Sequence, residues 1–153
     1  MTYELRSAVY LIMSRDDQVL LLLRQNTGYM DGMYDLPAGH IERGENATDG
    51  VIREAGEEVG VVVTRQDVQV AHVMHRFNRD SENLHLVYFC VYFVAGRWQG
   101  EPTNYEPEKC GDVRWFPLSE LPENCVPFTR RVLEEHWPQG VGYSEYGWDA
   151  ARS

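Results

Sequence analysis

The stretch GHIERGENATDGVIREAGEEVGV, Gly39 to Val61, holds both the clearest helix signal in the chain and its densest cluster of acid. Ala47, Val51, Ile52, Ala55 and Val59 fall on one side of a helix at about 100° per residue, which predicts a helix over Ala47 to Val59 packed on a sheet. Asn46 is placed to cap its start, Asp49 lies in the first turn, and Gly60 follows the end. Glu54, Glu57 and Glu58 share an adjacent arc, because positions three and four apart are neighbours on a helix surface. Three like charges there repel, and Gly50 and Gly56 inside the helix each cost roughly 1 kcal/mol relative to Ala. Local stability is given up at functional sites, and converging carboxylate oxygens are what Mg²⁺ or Mn²⁺ takes as ligands. A solvated acidic face with incidental glycines is the other reading of the cluster.

Upstream, Ala8 to Met13 and Val19 to Leu23 read as strands joined through the polar interval Ser14 to Gln18, a hairpin pattern. Arg24 to Tyr34 reads as loop, and Asp35 to Ile41 as a short extended segment broken by Pro37 and Gly39. Downstream, Val68 to Phe77 and Leu84 to Val94 are rich in β-branched and aromatic residues and predict a second antiparallel pair around the polar turn Asn78 to Asn83. A loop from Gly96 to Gly111 leads to a strand over Val113 to Phe116, and Phe128 to His136 predicts an amphipathic helix. The tail from Gly140 to Ser153 carries Tyr143, Tyr146 and Trp148, and its composition permits fraying, packing on the body or a homodimer contact. Strands interrupted by two helices predict an α/β fold, a mixed sheet with helices on both faces.

At 153 residues and 43% hydrophobic composition the chain suits one domain, 1–153, with a single core. Acidic residues outnumber basic ones 24 to 14, for a formal net charge of -10, which argues against binding polymeric nucleic acid or an anionic membrane. A phosphate substrate stays open, since bound cations invert local charge. Cys90, Cys110 and Cys125 are odd in number and form no Cys-x-x-Cys pair, which disfavours a disulfide scaffold or zinc site. No apolar run approaches signal-peptide or membrane-span length, and the expected location is cytoplasmic.

Gly39, then five residues to Glu45, then seven to Arg53-Glu54-Ala55-Gly56-Glu57-Glu58-Val59-Gly60-Val61, reproduces the spacing of the Nudix box. The chain thus resembles the Nudix hydrolases, and the MutT-like members in particular. The flanks agree: Leu36-Pro37 precedes the box and Trp115-Phe116-Pro117-Leu118 follows where the family places a similar segment. Ala38 stands where many members have a second glycine. The resemblance implies an α/β/α sandwich around a mixed central sheet. It implies Glu57 and Glu58 as the main metal ligands, with Glu54 and the carbonyl of Gly39 completing the set, and Arg53 with Glu45 as an orienting pair. A general base would come from a box glutamate or from Glu106 or Glu108 on the later loop, each of which is otherwise ordinary loop charge.

Substrate recognition is less legible. Arg24 and Arg76 follow or end predicted strands and suit phosphates. Tyr29, Tyr34, Phe77, Trp115 and Phe128 offer stacking faces, though aromatic strand residues are more often core. His40 and His75 have structural readings too. The expected activity is hydrolysis of a nucleoside triphosphate to monophosphate and pyrophosphate, with oxidised purine nucleotides among the candidates. A nucleotide sugar, ADP-ribose or dinucleoside polyphosphate hydrolase is the alternative within the chemistry. A nucleotide-sensing module without catalysis is the alternative outside it.

Overall fold

The computed structural model describes residues 4–78 and 86–151. Its strands are β1 (Glu4–Arg15), β2 (Gln18–Arg24), β3 (Tyr34–Asp35), β4 (Ala38–His40), β5 (Val68–Phe77), β6 (Leu86–Ala95), β7 (Cys110–Pro117) and β8 (Tyr143–Tyr146). Its helices are α1 (Ala47–Val59), α2 (Pro127–Arg131) and the short α3 (Trp148–Ala151). The mixed sheet runs β3-β2-β1-β6-β5-β8, with β4 also against β1 and β7 also against β2.

β1 organises the whole. Val9, Leu11 and Met13 point into one core with Val51, Ala55 and Val59 of α1, while Ala8, Tyr10 and Ile12 point into the other with Phe128, Val132 and Leu133. A run of apolar residues without alternation is what a strand buried on both faces requires. This is the α/β/α layering expected, with α1 and α2 on opposite faces of β1.

The expected hairpin of β1 and β2 forms only at its tip. Asp16 and Asp17, both at positive φ (52° and 62°), make a tight turn, and pairing stops after Ser14↔Val19 and Arg15↔Gln18. From there β1 runs parallel to β6 and β2 antiparallel to β7. Two-sided burial drives the divergence: β1 needs neighbours in the middle of the sheet, and nearness in sequence does not supply them. β5 and β6 do pair antiparallel as expected. The assigned turn between them, beyond Asn78, and the first residues of the expected strand lie outside the described residues.

The helix over Ala47–Val59 forms with the expected ends. The Asn46 side chain accepts from the Asp49 N–H, and Gly60 closes the helix at φ 71°. The expected second helix begins at Pro127, turns π-helical over Val132–His136 and tightens into a 3₁₀ turn over Trp137–Gln139. Pro138 has no N–H to continue the ladder.

The tail packs on the body. β8 adds to β5 in parallel, Val73↔Tyr143 through Arg76↔Tyr146. His72, fully buried on β5, meets the carbonyl of Val141 through Nδ1 and the Ser144 hydroxyl through Nε2, each at 2.7 Å. All three cysteines are buried and free. Among the described residues, no helix is long and apolar enough to cross a membrane.

Leu11 and Ile12 are both fully buried, one in each core. Leu11→Ala and Ile12→Ala should each lower the unfolding free energy by about 2–5 kcal/mol in urea titrations. A loss under about 1 kcal/mol at either position would mean that its face of β1 is not packed as described.

Candidate metal centre and substrate cleft

β4 lies antiparallel to β1 with Val9 opposite Gly39, which sets the loop before α1 against the helix's acidic side. The space between them is filled by one cation. Arg53 grips Glu45 with both arms of its fork, Nε to Oε2 at 2.8 Å and Nη2 to Oε1 at 3.0 Å. The same guanidinium reaches Glu54 at 2.9 Å, Glu57 at 3.2 Å and the carbonyl of His40 at 3.1 Å. The expected orienting pair is therefore a hub that ties loop to helix. Bidentate arginine–carboxylate geometry fixes angles as well as distance, and here it holds the Glu45 carboxyl down at about 2.

Two box glycines have steric reasons. A Cβ on Gly39 would stand 2.0 Å from Glu54 Oε1, so only glycine lets that carboxylate lie against the loop. A Cβ on Gly50 would stand 3.0 Å from Glu45 Oε1 and crowd the carboxylate that Arg53 holds. At Gly56 the nearest atom would be 3.9 Å away, and the space around it does not explain the glycine.

Glu58 turns inward, where the Ala38 N–H donates to it at 3.3 Å. Burial, and then the neighbouring charge of Glu54, push its carboxyl well above the usual range. Burial also raises Glu54. Glu57 is more exposed and leans toward Arg53. As arranged here, the described residues contain no cluster of three or more His, Cys, Asp or Glu side chains closed around a point suited to a metal ion. The donor chemistry nonetheless fits a hard divalent cation, since crowded, partly desolvated carboxylates on one helix face are relieved by positive charge between them.

The loop after β6 completes this end of the cleft. Thr103 and Tyr105 donate their N–H groups to the carbonyls of Val59 and Glu58, and Tyr105 lies over Gly60, where a Cβ would come within 2.4 Å of its ring. Glu106 is thereby brought to the cleft beside Glu58, together with Lys109, a residue the sequence did not single out. Glu108 is exposed and does not line the cleft.

The cleft, about 660 Å³, continues from the box glutamates to Arg24, Tyr29, Asp35 and Arg76. Arg24 is held by the Tyr29 carbonyl and the Thr27 hydroxyl. His40 lines the cleft near Tyr88, with burial first and then Arg6 and Arg76 holding it below the usual imidazole range. Tyr34 is a structural residue, its hydroxyl bound to Asp112 at 2.7 Å. Trp115 stacks on Trp98 under Arg15 and is not part of the cleft lining. Phe128 is core, with the Arg76 guanidinium over its ring. His75 stacks on Phe89 and meets the Trp148 ring at a tilt.

A family model described as NUDIX domain matches residues 4–136. The chain is 32% identical over 123 residues to a putative mutator protein MutT4 of Mycobacterium tuberculosis, covering 79% of this chain and 47% of that protein's length. It is 26% identical over 124 residues to the 8-oxo-dGTP diphosphatase of Escherichia coli, covering 81% and 88% respectively. It is 28% identical over 115 residues to an NAD-capped RNA hydrolase NudC of Pseudomonas putida, covering 75% of this chain and 37% of that one. Among solved structures, a MutT NUDIX hydrolase from Burkholderia pseudomallei superposes with a TM-score of 0.76 at 27% identity, over 86% of this chain and 98% of that chain. The chain belongs to the NUDIX domain family and is a Nudix hydrolase.

Asp35 gives a pH test of the cleft. Its buried carboxyl accepts from the Thr129 hydroxyl at 2.6 Å and the Leu36 N–H at 2.8 Å, and burial still pushes it above the usual range. The folded state then holds the proton more tightly than the unfolded chain. The resulting stability is fully present below the ordinary value of 3.8 and is lost as pH rises through the higher folded one. Asp35→Asn keeps an acceptor for both donors, so its stability relative to the native protein should rise between about pH 4 and pH 7 in thermal melts. A relative stability that falls over that interval would contradict the assignment.

Proposed function

We propose that the protein is a metal-dependent nucleoside triphosphate pyrophosphohydrolase, releasing a nucleoside monophosphate and pyrophosphate. One observation carries this reading: the Arg53 hub holds Glu45, Glu54 and Glu57 in register beside the inward-turned Glu58, at one end of a cleft large enough for a nucleotide. Glu54, Glu57, Glu58 and the carbonyl of Gly39 would hold Mg²⁺ or Mn²⁺. When bound, the ion supplies charge to offset the phosphates and makes hydroxide available from water near neutral pH.

The chain's own residues do the positioning. Arg53 keeps the box carboxylates at fixed angles, a role whose loss in other metal sites costs about 10–100-fold. Lys109 and Arg24, brought together by the pairing of β2 with the start of β7, line the cleft and meet phosphate oxygens of the substrate. Glu106 takes the proton from the attacking water at its carboxylate, placed for this by the backbone bonds from Thr103 and Tyr105 to the end of α1. Glu108, exposed and away from the lining, has no part in it.

The substrate's identity within the class follows from relatives only by analogy, and oxidised purine triphosphates enter because one relative is named an 8-oxo-dGTP diphosphatase. A net charge of -10 disfavours a polymeric nucleic-acid substrate. A cytoplasmic setting, where nucleotides and Mg²⁺ abound, belongs to this reading. Retention of Arg53, Glu54, Glu57 and Glu58 together disfavours a sensing module without turnover.

Purified protein with Mg²⁺ should convert a nucleoside triphosphate to monophosphate and pyrophosphate, and chelator should stop it. Glu57→Gln or Glu58→Gln should abolish turnover with the fold intact by circular dichroism, while Glu106→Gln should lower kcat by about 10²–10⁴. Full activity in both box variants would refute the metal centre. Cleavage confined to nucleotide sugars or dinucleoside polyphosphates would move the substrate to the alternative class.

A further inference from the structure

Thr103 and Tyr105 tie the upstream end of the Glu106 loop to the end of α1, and its downstream end is held from β2. The pairing of β2 with β7 runs to Leu23↔Asp112 and resumes at Arg24↔Cys110, so Gly111 is the extra residue of a bulge. A bulge bends its strand and re-aims the residues beside it, and such irregularities are common next to active sites. Here the bulge makes room for a side chain from β2's end. A Cβ on Gly111 would stand 2.7 Å from Gln25 Oε1.

Gln25 uses that room to reach the loop. Its Nε2 donates to the Pro107 carbonyl at 2.9 Å, and its backbone N–H donates to the Lys109 carbonyl at 3.1 Å. Asn26, at φ 54°, a backbone conformation asparagine tolerates better than most residues, donates from Nδ2 to the Glu108 carbonyl at 3.0 Å. Three successive loop carbonyls therefore end on two residues that directly follow Arg24. Inside the loop, the Glu106 carbonyl accepts from the Lys109 and Cys110 N–H groups at 2.9 Å each, and the Glu106 N–H donates to Asn104 Oδ1 at 3.1 Å. Pro107, Glu108 and Lys109 are exposed, so the loop has little burial to hold it and its position is set by these bonds to backbone. Gln25 does not line the cleft, which leaves this loop as its route to the reaction.

We propose that Gln25 is a positioning residue: its side-chain amide clamps the loop from Glu106 to Lys109 onto the end of β2, fixing Glu106 toward the attacking water and Lys109 toward the phosphates. The inference rests on the reading above in which Glu106 takes the proton. Asn26 is the second arm of the clamp, and Gly111 belongs to it because a side chain there would displace the Gln25 amide.

The test measures kcat for triphosphate hydrolysis with Mg²⁺ in Gln25→Met, in Gly111→Ala, and in each combined with Glu106→Gln. Gln25→Met keeps the length of the side chain and removes its donor. Gly111→Ala keeps Gln25 and pushes on the far end of its flexible side chain, so the fold should survive. Each single variant should lower kcat about tenfold or more, as misplacement of a reacting group does. Neither should lower it further once Glu106 is Gln, since changes that act through one group do not add. Amide hydrogen exchange at Lys109 and Cys110 should speed up in both variants while amides within α1 keep their protection. Full kcat in both single variants, an equal loss with and without Glu106, or unchanged exchange at those two amides would overturn the proposal in a protein that hydrolyses triphosphates. Faster exchange there, in a protein that hydrolyses no phosphoanhydride, would uphold the clamp on the loop and overturn the hydrolase reading alone.

Discussion

The guanidinium of Arg53 is the interaction on which the site depends. The acidic arc of α1 is self-repelling, and the loop from Gly39 to Glu45 has little apolar surface with which to hold itself to the helix. One buried-side cation answers both problems, since it bonds Glu45 and the His40 carbonyl on the loop and Glu54 and Glu57 on the helix. A lysine would supply the charge without the fork, and the angles between loop and helix carboxylates would be lost. Glu58 stays outside this clasp, turned inward to the Ala38 N–H and close to Glu54, and two carboxylates so crowded suit a divalent ion.

The clasp is aimed by β1. Because β1 is buried on both faces, its edge can hold β4, and with it Gly39, while one face packs α1. Its other face belongs to the core that carries α2 and the floor of the cleft, where Tyr10, Asp35 and Arg76 are buried. The box carboxylates and the buried Arg76 therefore belong to opposite layers of the sheet and line one cleft. The segment after residue 136 lies outside the family match.

Much of this was legible where the signal is local. Asn46, the apolar repeat and Gly60 fixed α1 within its own few residues, and box spacing made Arg53 and Glu45 partners before any distance was measured. Long-range pairing was not legible: β1 and β2 look like a hairpin because turn chemistry at Asp16-Asp17 is local, while the attraction of β1 to β6 is not. Glu106 and Glu108 were equivalent in sequence, and only the anchoring of Thr103 and Tyr105 to the end of α1 separates them. The tail was opaque for the same reason. Its place depends on a buried histidine on β5 and on a close approach at Gly147, neither of which leaves a pattern within the tail itself.

The central claim, that the box carboxylates held by Arg53 form a metal centre, is tested most directly by a crystal structure of the protein grown with Mn²⁺. Anomalous density bounded by Glu54, Glu57, Glu58 and the Gly39 carbonyl, with the Arg53–Glu45 fork retained, is the predicted result. Manganese bound elsewhere, or a crystal saturated with the ion in which Glu54 and Glu58 remain without it, would contradict the account.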